Sequence, residues 1–270
     1  MDRAGRTYWE QHWSAKPIPN AKTLRGGIIT HYVNRRIEEY FGEAFANIET
    51  SGKGLLEIGC ARSIWLSYFA NTFGFKVSGI DYSARGCEDT KRSLANDGIA
   101  SEIVCADFFE APSWMNDKYD VIVSFGVAEH FQDTQACIKA FAKLLKPGGL
   151  MITFIPNMAG LIGHVQRLVD RAVFDIHMQL KADDLRQAHE QSGLEVLKCN
   201  YFLSTNFGVC NIEKRTPQTI SWLCKKSLVA ALLRVSMAVW LVEECVAFIK
   251  PNPVTSPYIA CLARKFPSRK

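Results

Sequence analysis

The sequence predicts an α/β fold in which a mostly parallel sheet of seven strands carries helices on both faces. Short apolar segments recur along the chain, and stretches of helical length alternate with them. This alternation is typical of parallel strands joined by helical crossovers. The length of 270 residues suits one such domain with appended helices and is too short for two enzyme domains of ordinary size.

Seven segments are predicted to be strands. Five are continuous apolar runs that end in small or acidic residues, which indicates strands buried on both faces. They span residues 54–60, 76–82, 102–107, 119–126 and 149–156. Two later segments, 194–202 and 257–265, complete the sheet, and the second of them follows a long helical insertion.

Helices are predicted between these strands, at 64–73, 84–96 and 134–145. The run Lys146-Pro147-Gly148-Gly149 ends the third helix, because proline and glycine do not continue one. A further helix is predicted at 183–191. The first fifty residues are predicted to form two or three helical turns that pack against the domain.

Composition favours an intracellular globular protein. Apolar residues make up 48% and charged residues 22%, and the net charge of +5 is scattered, which is weak evidence for nucleic acid binding. Nine cysteines without a Cys-x-x-Cys pair predict reduced, buried thiols. The start of the chain has no secretory pattern, and charged residues interrupt the apolar tract 228–249, so we expect a cytoplasmic protein without a membrane span.

The first predicted strand leads into a turn that is a candidate ligand loop. Ligands of open parallel sheets bind at the carboxyl ends of strands where the strand order reverses. Gly59 allows backbone to approach a ligand closely. Ala61 and Ser63 stand where a strict glycine-rich loop has glycine, so this segment alone is equally consistent with an ordinary turn.

Acidic residues at the next two strand ends strengthen the case for a ligand site. Asp81 ends the second strand, where an acid accepts hydrogen bonds from ribose hydroxyls. Asp107 ends the third and precedes Phe108 and Phe109, so a carboxylate lies beside rings that can stack on a base. Either aspartate could instead cap the helix that follows.

With these motifs the chain resembles the class I, Rossmann-like S-adenosylmethionine-dependent methyltransferases. The segment 119–126 followed by Val127-Ala128-Glu129-His130-Phe131 is similar to the family's fourth strand, and 144–152 is similar to the approach to its fifth. The resemblance covers about residues 52–202. It implies S-adenosyl-L-methionine as cofactor and an antiparallel last strand.

The resemblance also assigns the cofactor-binding residues by position. Those near the methionine end are Glu57, Gly59, Cys60 and Ala61. Those near the ribose and adenine are Asp81, Tyr82, Asp107 and Phe108. Phe125 and Gly126 would flank the sulfonium, and Trp9, in the aromatic segment 8–13, would close over the cofactor.

Methyl transfer needs alignment in a site closed to water more than it needs a covalent residue. Trp9, Trp13, Phe125 and Phe131 are candidates for an aromatic wall. For a hydroxyl acceptor, His130 and His177 are candidate catalytic bases, and Asp175 is a candidate to orient His177. No metal-ligand spacing is visible, so no metal is predicted, although a site assembled from separate loops would not be seen in sequence.

The predicted domain organisation places helical segments around the core. Residues 1–50 cover the cofactor site, 51–202 with 256–266 form the core, 157–180 form a lid helix, and 203–255 form an insertion. Within this insertion a helix is predicted at 219–249, with one apolar seam. The seam would pack in the core, form a homodimer contact or line an apolar acceptor pocket. The seam consists of Leu228, Leu232, Val235, Val239, Val242, Val246 and Ile249.

The function predicted from these features is methyl transfer to a small-molecule, lipid or saccharide acceptor, with oxygen the favoured atom. Two alternatives remain at this point. One is an RNA or N-methyltransferase, which the modest positive charge permits although no RNA-binding module precedes the core. The other is an inactive adenosylmethionine-binding protein, suggested by the incomplete glycine loop.

Overall fold

A single sheet of seven strands organises the computed structural model, which describes residues 2–14, 28–213 and 219–267. The strands are β1 Gly54–Ile58, β2 Lys76–Asp81, β3 Glu102–Cys105, β4 Tyr119–Phe125, β5 Leu145–Pro156, β6 Leu194–Phe202 and β7 Tyr258–Lys265. Their order is β3-β2-β1-β4-β5-β7-β6, and β7 runs in the direction opposite to the other six strands. The predicted fold class is therefore confirmed, including the antiparallel last strand.

The helices in the described part of the chain are α1 Arg6–Ser14, α2 Ile28–Phe45, α3 Trp65–Phe73, α4 Ala84–Asn96, α5 Thr134–Leu144, α6 Leu161–Val169, α7 Arg171–Asp175, α8 Ala182–Gln191 and α9 Ile220–Cys245. The predicted lid helix 157–180 is two helices, α6 and α7. The helix restarts because Asp170 caps α7 by accepting from the Val173 amide at 3.3 Å. The first fifty residues also hold more helix than predicted, since α2 has 18 residues.

Apolar packing on both faces makes the molecule three layers thick. On one face α5 and α8 pack on the sheet through side chains such as Phe141 and Leu185. On the other, α2, α3, α4 and α9 pack through side chains such as Phe41, Phe69 and Trp240. Both faces of the central strands are thus buried, which explains their continuous apolar sequences.

Most of the apolar seam predicted for residues 219–249 does not pack on the domain, although Leu232 packs against the buried cluster of Ile162, Phe207 and Cys210. The buried side chains of α9 are Ser236 and Trp240. The Trp240 indole donates to the Thr205 carbonyl at 2.9 Å and stacks on Tyr32 at 4.9 Å. The prediction that the seam packs in the core is therefore wrong for its exposed members, which are Leu228, Val235, Val242, Val246 and Ile249. The homodimer contact stays a prediction.

Two further sequence expectations concern membrane spans and cysteines. Among the described helices, none combines the length and the hydropathy needed to cross a bilayer. All nine cysteines are free thiols, and six are buried; Cys105, Cys224 and Cys245 are exposed.

Candidate functional site

A cavity of about 250 Å³ opens at the carboxyl ends of β1, β2 and β4; we call it the strand-end cavity. It lies where the strand order reverses between β1 and β4, the expected ligand position in such sheets. The cofactor residues predicted from sequence that line it are Trp9, Glu57, Gly59, Ala61, Asp81, Tyr82, Phe108, Phe125 and Gly126. Cys60 and Asp107 do not line it.

The loop after β1 takes its shape from two residues with left-handed backbone. Gly59 has φ of 78°, and its amide donates to the Ile80 carbonyl at 2.9 Å. A Cβ on Gly59 would lie 2.4 Å from Cγ2 of Val127. Both the positive φ and this close contact therefore require glycine at position 59. The second left-handed residue is Arg62, with φ of 56°. Ala61, where the family loop has glycine, is not in this region and carries no such strain.

A buried ion pair holds Arg62 in its unusual conformation. Its guanidinium contacts Oδ2 of Asp89 in α4 through Nε at 2.8 Å and Nη2 at 2.7 Å, and both side chains are almost completely buried. Its amide donates to Thr90 Oγ1, also in α4, at 2.8 Å. The loop is thus fixed by side-chain contacts rather than by a second glycine. Sequence reasoning missed the pairing of Arg62 with Asp89 because the two residues are 27 positions apart.

Glu57 lies at the floor of the strand-end cavity, at the end of β1. Burial raises the pKa of its carboxyl to about 8, opposed by the hydroxyl of Ser63, which donates to Oε2, while the nearby Asp81 adds to the rise. Ser63 also accepts from the Trp65 and Leu66 amides at 3.1 and 3.2 Å. A small hydroxyl at position 63 therefore connects the carboxyl to the start of α3.

Because the pKa of Glu57 is raised in the folded chain, we expect its proton to make stability depend on pH. The folded state keeps the proton between about pH 4.5 and 8 while the unfolded state has lost it, so the free energy of unfolding falls as pH rises through this window. Glu57→Gln should reduce that slope, by up to about 1.4 kcal/mol per pH unit. Urea unfolding from pH 5 to 8 measures it, with Glu88→Gln as the exposed control. Parallel curves for parent and Glu57→Gln would contradict the assignment.

Asp81 and Tyr82 form the wall of the strand-end cavity beyond β2. Asp81 accepts from the Ala61 amide at 3.1 Å and from the Ser83 amide at 2.8 Å, and burial raises its pKa to about 6. The Tyr82 hydroxyl donates to Asp2 Oδ2 at 2.8 Å. Asp81 therefore fixes the β1 loop and also presents a carboxylate to the cavity.

The two remaining candidates from the sequence face elsewhere. Cys60 is fully buried, and its sulfur packs so closely on Gly79 of β2 that a Cβ there would lie 2.5 Å from it. Asp107 caps the short helix Phe108–Glu110 by accepting from the Phe109 amide at 2.9 Å. This is the helix-capping role that the sequence also allowed for Asp107. Phe108 is thus the residue of this strand end that reaches the cavity.

The N-terminal residues lie over the strand-end cavity. Asp2 forms a bridge with Phe131, and the Arg3 amide donates to the His130 carbonyl at 2.8 Å. Helix α1 adds Trp9 and Trp13 to the walls, and Trp9 meets the His130 ring edge-on at 5.2 Å. The aromatic segment predicted to close over the cofactor is placed where it can do so.

A second cavity of about 410 Å³, which we call the inner cavity, adjoins the first. Its walls are largely apolar, with Val33 and Ile37 of α2 and Met158 after β5, and polar groups such as Asn34 and Tyr258 interrupt them. The residues common to both cavities are Trp9, Trp65, Phe125, Gly126 and His130. Sequence reasoning missed Trp65 and the α2 residues, since only the packing of α2 and α3 on the sheet brings them here.

The candidate bases His130 and His177 both line the inner cavity, with ring centroids 4.5 Å apart. Asp175 does not orient His177, because it pairs with Arg171 at 3.4 Å; the Val173 carbonyl, 2.6 Å from Nδ1, takes that place. Burial lowers the pKa of both imidazoles, that of His177 to about 3. Both are neutral near pH 7. A group of three possible metal ligands, Glu129, His130 and His177, also meets here, although the sequence indicated none.

Comparisons with known proteins agree with the observed fold. A family model described as a methyltransferase domain matches residues 29–198, more than half of the chain. The chain is similar to the ubiquinone biosynthesis O-methyltransferases of Chelativorans sp. (26% identity, covering 69% of this chain and 75% of the relative) and of Pectobacterium carotovorum (28%, 66% and 72%). Its fold resembles Haemonchus contortus phosphoethanolamine N-methyltransferase 2, solved with S-adenosyl-L-methionine, at a TM-score of 0.59 and 15% identity, covering 86% of this chain and 52% of that one.

Proposed function

Because this chain belongs to the methyltransferase domain family, we propose that it moves the methyl group of S-adenosyl-L-methionine to a hydroxyl of a small acceptor with an apolar body. The observation that carries the proposal is the junction of the two cavities at Trp9, Trp65, Phe125, Gly126 and His130. A cofactor in the strand-end cavity and an acceptor in the inner cavity would meet there.

The residues of the strand-end cavity fit the cofactor. Gly59 presents backbone without a side chain to the cavity, and Asp81 presents a carboxylate that can accept from ribose hydroxyls. Phe108 offers a ring for the adenine, and Glu57 and Ser63 offer polar groups at the opposite end. When bound, the cofactor would supply a methyl carbon attached to a positively charged sulfur, and that sulfur is the leaving group for in-line attack by the acceptor.

The protein's own contribution is alignment and exclusion of water. Phe125 stacks between Trp65 at 5.6 Å and Phe154 at 5.4 Å, so the junction has a rigid aromatic wall. Trp9 adds a further aromatic side chain to the junction and contacts the His130 ring. A low-polarity enclosure favours a reaction in which charge disappears, and alignment supplies much of the rate.

Oxygen is proposed as the acceptor atom for two reasons. The curated relatives above are named O-methyltransferases. In addition, neutral His130 and His177 can each accept a hydrogen bond at Nε2, because Nδ1 of each faces a backbone carbonyl. A hydroxyl donates to such an atom and is held by it. A cytoplasmic location is proposed as well, supported by nine unpaired thiols.

Methyl transfer from labelled cofactor to a panel of acceptors tests this function. We expect label in phenolic or hydroxylated amphiphiles and none in amines or RNA. Label in amines alone would replace the proposal with an N-methyltransferase, and label in RNA would replace it with an RNA methyltransferase. Cofactor binding without transfer to any acceptor would favour the inactive binding protein.

Asp81→Ala should weaken binding of S-adenosyl-L-methionine by about 10- to 100-fold, as expected when a charged hydrogen-bond acceptor is lost. Calorimetric titration measures it, with thermal unfolding to check that the variant is folded. Asp107→Ala is the matched control: an acid at the neighbouring strand end that does not reach the cavity, so its effect should be smaller. Parent-like affinity in Asp81→Ala would remove Asp81 from the site.

A further inference from the structure

We infer that Glu129, His130 and His177 bind a divalent first-row transition-metal ion on the acceptor side of the cavity junction. One side-chain ligand atom from each of them lies within 4.8 Å of the others. Oε1 of Glu129 and Nε2 of His130 are 3.8 Å apart. Ligands on one ion at about 2.1 Å lie roughly 3.4 Å apart in tetrahedral geometry, so binding draws the three groups together by about 1 Å.

Both histidines are already in the form that a metal ligand needs. Nδ1 of His130 is 3.0 Å from the Ile176 carbonyl, and Nδ1 of His177 is 2.6 Å from the Val173 carbonyl. A carbonyl only accepts, so Nδ1 carries the proton in each ring and Nε2 keeps its lone pair. A backbone carbonyl behind the imidazole is the usual support of a metal-bound histidine.

Glu129 is the carboxyl group among the three ligands, and a bound cation would hold it in its charged form. Its side chain is 1% exposed, and Oε2 has no hydrogen-bond partner among the described residues. The His130 nitrogen at 3.8 Å is too distant for a hydrogen bond. An unpaired buried carboxyl oxygen is costly, and a cation at this point would satisfy it.

The tertiary structure fixes these ligands from two separate segments. Glu129 and His130 belong to the one-turn helix Ala128–His130 after β4, and His177 follows α7. The Met178 amide donates to the Glu129 carbonyl at 2.7 Å, which ties the two segments together. His130 lines both cavities, whereas Glu129 and His177 line only the inner one. The ion would therefore face the acceptor.

The donor set selects the class of metal. Two imidazoles and one carboxylate suit Zn²⁺, Mn²⁺, Fe²⁺ or Co²⁺, whereas Mg²⁺ and Ca²⁺ prefer oxygen ligands throughout. Three protein ligands leave a position open for the acceptor hydroxyl, and with the ion present its bond to the metal replaces the hydrogen bond to Nε2 proposed above. Resting on the proposed function, the ion would act as a Lewis acid: the hydroxyl releases its proton to water, the C–O bond forms as the C–S bond breaks, and the electron pair of that bond stays on sulfur. No redox change is involved.

Co²⁺ binding to the full chain tests the site without reference to activity. The background is Cys105→Ser, Cys224→Ser and Cys245→Ser, because exposed thiols also bind this ion. We expect one equivalent of Co²⁺ with visible d–d absorption and no thiolate charge-transfer band. Glu129→Gln and His177→Asn should each weaken binding by at least ~10-fold.

The control for these variants is His164→Asn, which removes an exposed histidine of α6 that does not line the inner cavity. Circular dichroism establishes that each variant is folded. No bound Co²⁺, or equal affinity in parent, Glu129→Gln and His177→Asn, would overturn the inference. Methyl transfer unchanged by a chelator would overturn the ion's role while leaving the proposed function intact. Co²⁺ bound at this site without methyl transfer to any acceptor would support the metal site and contradict the proposed function.

Discussion

Gly59→Ala is expected to weaken cofactor binding by at least ~10-fold and to lower the free energy of unfolding by about 2–4 kcal/mol. Two costs add at this position. Backbone with φ of 78° disfavours any residue with a Cβ, and that atom would lie 2.4 Å from Cγ2 of Val127. The loop must shift to relieve the contact, and the loop is a wall of the strand-end cavity. Calorimetric titration with S-adenosyl-L-methionine and urea unfolding measure the two effects.

Gly98→Ala separates the two costs. Gly98 has φ of 71° but nothing within 4 Å of an added Cβ, so that variant should lose only the backbone contribution of about 1 kcal/mol. The double variant Gly59→Ala with Val127→Ala removes the contact and should recover part of the affinity. If Gly59→Ala were no less stable than Gly98→Ala and bound the cofactor like the parent, the steric argument would be wrong.

Asp89→Ala should destabilise the fold by about 3–5 kcal/mol, the usual cost of leaving one partner of a buried ion pair uncompensated. Asp89 is fully buried and is the acidic partner of Arg62, whose left-handed conformation shapes the loop. Cofactor affinity should fall with stability, because Arg62 lines the strand-end cavity. Urea unfolding gives the first effect and calorimetric titration the second.

Glu88→Ala is the matched control for Asp89→Ala. Glu88 is the preceding residue and its pair with Arg92, at 3.7 Å, is exposed, so its loss should cost no more than about 1 kcal/mol. The double variant Arg62→Ala with Asp89→Ala should be less destabilised than the sum of its single variants, because no unpaired charge remains. Strict additivity would show that the two residues do not act as a pair.

The sequence alone determined the alternation of strands and helices, and with it the edge of the sheet at which ligand groups gather. Apolar runs and terminating residues are local signals, so predicted strand ends fell within two residues of those observed, except the start of β5 at Leu145. Because parallel strands end at one edge, Gly59 and Asp81 could be assigned to one site before any contact was known, and the family resemblance added Phe125.

Only the tertiary structure decided which side chains at that edge face the cavities. Asp107 turns back to cap its own helix, Cys60 packs against Gly79 of β2, and five of the seven residues of the apolar seam predicted at 219–249 are exposed. The physical reason is that these outcomes depend on contacts between distant segments. The same is true of Glu129, His130 and His177: the hydrogen bond from Met178 to Glu129 joins segments that no sequence period relates.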